Sequence, residues 1–192
     1  MSDGPKRYIL ASASPRRVEL LKLILPEYEV IPADIDETLP PRIDPVEAAT
    51  RLSVKKAKAV FEETGGDAVV IGADTVVEIE GYILGKPADA AEAAGMLSML
   101  SERRHRVHTG VGIFAPGVTA SFTETTDVWV GQLSTADIEA YIATGEPFDK
   151  AGGYGIQGSF SRFVPRIEGC YFSVVGLPVA RLYDQLTRLG LL

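Results

Sequence analysis

The amino-acid sequence predicts an α/β fold, in one domain spanning residues 1–192, on three observations. Tyr8–Ala11 is an apolar run with the composition of a buried strand, and it passes within a few residues into a helix start at Ser14-Pro15. Ala68–Ala73 is nearly continuous in apolar residues, the pattern of a strand covered on both faces of its sheet. Further helix starts at Asp44, Asp89 and Ser134 fall between strand-like runs, so strands and helices alternate along the chain.

The elements follow in order. Ser14 is a good N-cap, Pro15 fits a first helical position where no amide hydrogen is missed, and Val18, Leu21 and Leu25 then recur at helical spacing. Tyr28–Ile31 reads as a short strand and Pro32–Pro41 as an acidic loop. Asp44-Pro45-Val46-Glu47 has the form of a capping box and opens a helix to about Glu63, with Ala48, Leu52, Ala59 and Val60 on its apolar face. The strand Ala68–Ala73 is expected to end at Asp74-Thr75 before Val76-Val77 resumes. Ile79–Leu84 reads as a β-turn into a short strand. Asp89 caps a helix with Glu92 at its third position, and Met96 and Met99 both read as core filler. Val111–Phe114 and Ser121–Val130, joined through Ala115-Pro116-Gly117, predict a long antiparallel pair at a sheet edge or in a lobe. Ser134 caps a helix over Thr135–Thr144 that Gly145 stops. Arg166–Cys170 reads as a turn into a strand Tyr171–Val175. Gly176-Leu177-Pro178 starts a last helix with Val179, Leu182, Leu186 and Leu189 on its core face.

Composition narrows the chemistry. A chain of 192 residues, 46% hydrophobic and 23% charged, buries enough surface to fold without disulfides or a structural metal. Its single cysteine, Cys170, excludes an intrachain disulfide and fits a reducing cytoplasm. Met1–Lys6 lacks a charged-then-apolar signal pattern, and no apolar run reaches the ~18 residues of a membrane span, so a cytoplasmic protein without a membrane partner is expected. The net charge of −7 disfavours nucleic acid; any polyphosphate it binds is small and held by a local basic cluster. His105 and His108 are the only histidines, and three residues apart in a strand they point to opposite faces, which argues against a zinc pair. With no Ser-His-Asp or Cys-His arrangement, the chemistry falls to carboxylates, arginines and lysines, an inventory suited to phosphoryl chemistry with a divalent metal.

The candidate residues are spread along the chain. Arg16 and Arg17 sit in a first helical turn, where cations are electrostatically disfavoured; an arriving anion, phosphate foremost, would compensate, and the plain alternative is two solvated arginines. Asp34, Asp36 and Glu37 are either solvated loop carboxylates or part of a Mg²⁺-type site. Lys55, Lys56 and Lys58 put positive charge along the second helix; most such lysines are solvated face residues, and one is expected to reach a phosphate. Asp74, straight after a buried run, is costly unless paired, metal-bound or catalytic, and a functional role is preferred to a turn cap. Lys86 stands beside a turn whose spacing from Gly81 is not that of a P-loop. Gly153–Gly158 matches G-x-G-x-x-G but lacks the preceding strand of a dinucleotide site. The loop Glu146–Gly158 instead suits close approach to a flat polar ligand, and the planar donor and acceptor of Gln157 match the imide edge of uracil or thymine.

These blocks carry a resemblance. Leu10-Ala-Ser-Ala-Ser-Pro-Arg-Arg-Val-Glu-Leu-Leu, Gly72-Ala-Asp-Thr-Val-Val, Gly85-Lys-Pro and Tyr171–Pro178 are similar to successive blocks of the Maf family of nucleoside triphosphate pyrophosphatases, across essentially the whole chain. Glu146–Gly158 resembles the subgroup acting on dTTP and UTP rather than the one acting on 7-methyl-GTP, with Gly153 where that pattern has Ala. The resemblance implies a Maf/ITPase-like fold, a long twisted mixed sheet flanked by helices, with two lobes and a central cleft. It implies a cytoplasmic, commonly dimeric enzyme that splits dTTP or UTP into monophosphate and pyrophosphate with Mg²⁺ or Mn²⁺, in a family also linked to septum formation. By position, Asp74 corresponds to the family's proton acceptor; Arg16, Thr75 and Gln157 fall at its selectivity positions; Ser12, Glu37, Lys56 and Lys86 match other polar positions of its pocket. In the mechanism this frames, Arg16 and the helix start hold the triphosphate, and Glu37 and Asp74 meet the metal. The alternative is a non-catalytic nucleotide-binding regulator of septum formation.

Overall fold

The computed structural model describes residues 6–192; the first five residues of the segment read for a signal pattern lie outside them. Seven strands form one mixed sheet: β1 (Tyr8–Leu10), β2 (Glu29–Val30), β3 (Val69–Ile79), β4 (Tyr82–Leu84), β5 (Arg104–Ala115), β6 (Val118–Trp129) and β7 (Arg166–Glu168). The order is β2-β1-β3-β5-β6-β7, with β4 paired to the far end of β3. The β1 strand is parallel to both its neighbours, and all pairings from β3 onward other than that to β1 are antiparallel. Among the described residues six α-helices flank the sheet: α1 (Pro15–Leu21), α2 (Pro45–Glu63), α3 (Ala90–Leu100), α4 (Thr135–Ile142), α5 (Tyr171–Val175) and α6 (Val179–Arg188). Among the described residues no helix is long and apolar enough to cross a membrane.

Alternation along β3 separates two cores. Val70 packs with Ala57 and Val60 of α2, and Val76 with Ala48 and Ala49 of the same helix. Val69, Ile71, Ala73, Val77 and Ile79 face the larger core, with Leu97 and Leu100 of α3, Tyr141 of α4 and Leu182 and Leu186 of α6. The α2 helix lies directly on glycines. A Cβ on Gly72 would stand 2.5 Å from the Ser53 oxygen, one on Gly112 would stand 2.8 Å from Val54 Cα, and one on Gly110 would overlap the Ala49 carbonyl.

The caps largely follow the sequence. Asp44 accepts from the amides of Val46 and Glu47, Asp89 from Glu92, and Ser134 with Asp137 completes a reciprocal box. Ser14 is the N-cap of α1 by position, but its side chain makes no capping bond. The apolar face of α2 buries Ala57 where Ala59 was expected, and Met99 is 40% exposed rather than core.

Three expectations give way to the structure. Asp74 does not end a strand: β3 runs unbroken through it, because β5 pairs with residues Val70–Glu78 without interruption. The long pair β5–β6 lies at the edge only in part: β5 is held between β3 and β6, and β7 covers β6 at Asp127–Trp129, while Val118–Thr126 has no further strand beyond it. Residues Arg166–Glu168, read as part of a turn, are an edge strand, and Tyr171–Val175 is a helix. The β-branched and aromatic residues of that segment are overruled by its anchor: the Cys170 amide donates to Thr126 Oγ1, and the Cys170 carbonyl accepts from Ser173 Oγ and the Val174 amide.

Both histidines are buried on β5, where His105 bonds Tyr154 Oη and His108 bonds Thr125 Oγ1. Burial lowers the His105 pKa to about 4 and lowers that of His108 as well. Between pH 6.5 and pH 4 the unfolded chain therefore binds a proton at His105 that the folded chain refuses. Stability falls as pH drops through this window, by on the order of 3 kcal/mol from His105. Urea midpoints measured from pH 7 to pH 4.5 are expected to fall less steeply for His105→Gln than for wild type; parallel slopes would contradict the assignment.

Candidate active site

The site opens at a gap in the sheet. Along one edge of β3, β1 pairs with Val69–Ile71 and β4 with Val77–Ile79, so Gly72–Val76 carry no strand on that side. The chain leaving β1 turns away through Ala11–Ser14 into α1, and the opening becomes a cleft of about 720 Å³, the size of a small-ligand pocket. Ser12, Arg16, Arg17, Glu37, Lys56, Asp74, Thr75, Lys86 and Gln157 all line it. Residues spread from position 12 to position 157 are thus brought to one place.

Asp74 is 8% exposed, on the floor of the gap. Its Oδ1 accepts from Lys56 Nζ at 2.6 Å, and the same ammonium lies 2.8 Å from Glu37 Oε1. Lys56 reaches both because α2 sits so low on the glycines of β3 and β5. Desolvation pushes the Glu37 carboxyl up, but the bond to Lys56 and the charges of Lys56, Lys86 and Arg17 outweigh it and hold the group below the ordinary carboxylate range. Two carboxylates converging on one cation are a donor pair of the kind a hard divalent ion takes together with phosphate oxygens. No group of three or more acidic, histidine or cysteine side chains suited to a metal occurs among the described residues, so such an ion would need ligand oxygens to complete its shell.

The two arginines of α1 behave differently. Arg17 is tied into the protein: Nε donates to the Gly176 carbonyl at 2.9 Å, Nη2 to Thr75 Oγ1 at 3.0 Å and Nη1 to Ser12 Oγ at 3.3 Å. Burial lowers its pKa, with Asp74 opposing that shift. Gly176, which turns its carbonyl to Arg17, sits at φ +132°, a backbone conformation L-residues avoid. Arg16 is more open and pairs with Asp149 at 3.0 Å across the cleft. Ser12 Oγ also accepts from the Ser14 amide, fixing the turn before the helix.

The glycine-rich loop forms the opposite wall. It folds as a 3₁₀ turn, Glu146–Asp149, followed by a tight bend at Ala151–Gly153 where Gly152 and Gly153 take positive φ, and is held from below by Gly155 N–H donating to Tyr141 Oη and by the His105–Tyr154 bond. Gln157 projects at the exposed rim. Lys150 is a cleft residue to which the sequence reading gave no role; its Nζ donates to the Glu146 carbonyl and to Asp149 Oδ1, both at 2.6 Å. Its only sequence signal was a single lysine inside a run of glycines. Val174 and Val175, on the helix misread as a strand, complete the wall.

A sheet gap floored by a lysine-bound carboxylate and walled by cations defines a pocket for a small polyanion. The sequence profile of the family described as Maf-like protein matches residues 7–189, and the chain belongs to that family. It is 52% identical over 184 residues to a dTTP/UTP pyrophosphatase of Koribacter versatilis (96% of this chain, 95% of the relative). It is 48% identical over 183 residues to a dTTP/UTP pyrophosphatase of Bacillus cytotoxicus (95% of each). Among solved structures, the Staphylococcus aureus Ham1 protein aligns with a TM-score of 0.48 at 20% identity, over 65% of this chain and 72% of that one.

Proposed function

We propose that this chain is a nucleoside triphosphate pyrophosphatase that hydrolyses dTTP and UTP to the monophosphate and pyrophosphate. The observation that carries the reading is the placement of Asp74: a carboxylate in a sheet gap, with one oxygen fixed by Lys56 and the other left for water, facing cationic walls. In this reading Asp74 takes a proton from water as the water oxygen attacks the α-phosphorus. The bond from that phosphorus to the α–β bridging oxygen breaks, and pyrophosphate leaves with the electron pair. Arg16, released from Asp149, and Lys86 grip the triphosphate; Arg17 holds Thr75 and Ser12 in place. Gln157 reads the imide edge of the base. Glu37 and Asp74 would hold Mg²⁺ or Mn²⁺ together with phosphate oxygens, and such an ion would supply charge neutralisation.

The test is product analysis on dTTP, UTP, CTP, GTP and 7-methyl-GTP, with Mg²⁺ and with chelator, resolving pyrophosphate from orthophosphate. Metal-dependent monophosphate and pyrophosphate from dTTP and UTP is the expected result. Orthophosphate would move the attack to the γ-phosphorus, and tight binding without turnover would put a regulatory nucleotide sensor in place of the enzyme.

A further inference from the structure

The hydroxyls beneath the cleft form a chain in which each proton direction follows from the last. Thr109 Oγ1 lies 2.7 Å from the Ser173 backbone oxygen, and a carbonyl only accepts, so the one hydroxyl proton of Thr109 is committed there. Thr109 Oγ1 also lies 2.9 Å from Thr75 Oγ1. With its own proton in use, Thr109 must accept and Thr75 must donate. Arg17 Nη2 donates to Thr75 Oγ1 as well. A hydroxyl has one proton and two lone pairs, so Thr75 meets the cleft with no proton and one lone pair. The arrangement is locked from behind: Thr109, Thr126 and Ser173 are fully buried, and Ser173 Oγ lies 2.8 Å from Thr126 Oγ1 and donates to the Cys170 carbonyl at 2.8 Å.

We infer that Thr109 is a positioning residue for nucleotide selectivity, holding Thr75 as a hydrogen-bond acceptor toward the bound nucleoside. The inference rests on the pyrophosphatase reading of the cleft. Ionised phosphate oxygens only accept, so the open lone pair of Thr75 has no partner on the triphosphate chain. With the attacking water held by Asp74, the donors that dTTP and UTP share are the imide N–H and the 3′-hydroxyl; the lone pair takes the 3′-hydroxyl where Gln157 holds the imide N–H, and the imide N–H where Gln157 meets only a carbonyl of that edge. A nucleotide that offers a lone pair at the same point meets Thr75 with no proton between them, an arrangement that rejects the ligand rather than merely failing to bind it.

The experiment compares wild type, Thr109→Val and Thr109→Ser. It measures kcat/KM for UTP, for CTP, which puts a lone pair where the imide carries its proton, and for 3′-deoxy-UTP, which lacks the sugar donor. Ratios between substrates cancel the fraction of enzyme that is folded, so a purely structural defect leaves them unmoved. Thr109→Val frees the Thr75 proton and is expected to lower one of the two ratios, UTP:CTP or UTP:3′-deoxy-UTP, about tenfold. The ratio that moves identifies the donor, and Thr109→Ser restores it. If the valine variant does not fold, Thr109→Ala makes the same comparison. Both ratios unchanged, with pyrophosphate still produced, would overturn this inference and leave the pyrophosphatase reading standing. No monophosphate and pyrophosphate from UTP with wild type would overturn that reading, and this inference with it.

Discussion

Asp74→Asn is expected to lower turnover of dTTP and UTP by about 10²–10⁴-fold, the range a positioned general base contributes. The substitution keeps the volume and a hydrogen-bonding oxygen for Lys56, which also retains Glu37 at 2.8 Å. The fold should therefore survive, with a Tm within a few degrees of wild type. What is lost is the negative charge that accepts a proton from water and that balances Lys56 on the floor of the cleft. Turnover measured beside thermal unfolding separates the two effects. Near-native activity in a folded Asp74→Asn protein would remove Asp74 from water activation and leave the buried pair with Lys56 as a structural feature only.

Gly110→Ala is expected to destabilise the protein by about 3 kcal/mol, which for a chain of this size is a fall in Tm of roughly 6–12 °C. The new methyl would overlap the Ala49 carbonyl, and backbone cannot swing aside as a flexible side chain does. The strand faces α2 through glycine at Gly72 and Gly112 too, so the helix can relieve the overlap only by rising off the sheet. Because Gly110 pairs with Asp74 in the ladder, that shift draws Lys56 away from the carboxylate, and kcat should fall in the fraction that remains folded. Gly95→Ala is the control: it lies in α3 with open space around its Cβ position, and it should leave Tm unchanged or slightly raised. Equal behaviour of the two variants would show that α2 does not sit on the sheet as described.

Much of the fold could be read from local chemistry. The caps at Asp44, Asp89 and Ser134 depend on residues within one turn of each other, and the two-residue Pro116-Gly117 connection between β5 and β6 declares its hairpin locally. Tyr171–Val175 failed for the opposite reason: its helix is fixed by Thr126, which lies 44 residues away in sequence from Cys170. The site divides in the same way. Asp74 stood out because a carboxylate in an apolar run is conspicuous. By residue pattern Lys56 was one of three lysines on its helix, set apart only by the family resemblance, and the seating of α2 on glycine is the physical reason it reaches Asp74. Arg16 and Arg17 looked alike in sequence, and tertiary partners give one to Asp149 and the other to the hydroxyls beneath the cleft. Nothing short of the folded loop shows Lys150 beside them.

The cleft carries a charge opposite to that of the molecule around it. Arg16, Arg17, Lys56, Lys86 and Lys150 line it against Glu37, Asp74 and Asp149, an excess of two positive charges within a chain of net charge −7. An anion therefore crosses a repulsive outer field before it meets an attractive inner one. The outer field acts over about a Debye length, 8 Å at physiological ionic strength, so its effect on encounter fades with added salt while the partly buried cations keep their hold. A compact anion penetrates to the inner field along one path, whereas a long polyanion keeps most of its charge in the repulsive zone wherever one end is placed. The charge distribution thus admits by size before the pocket discriminates by chemistry.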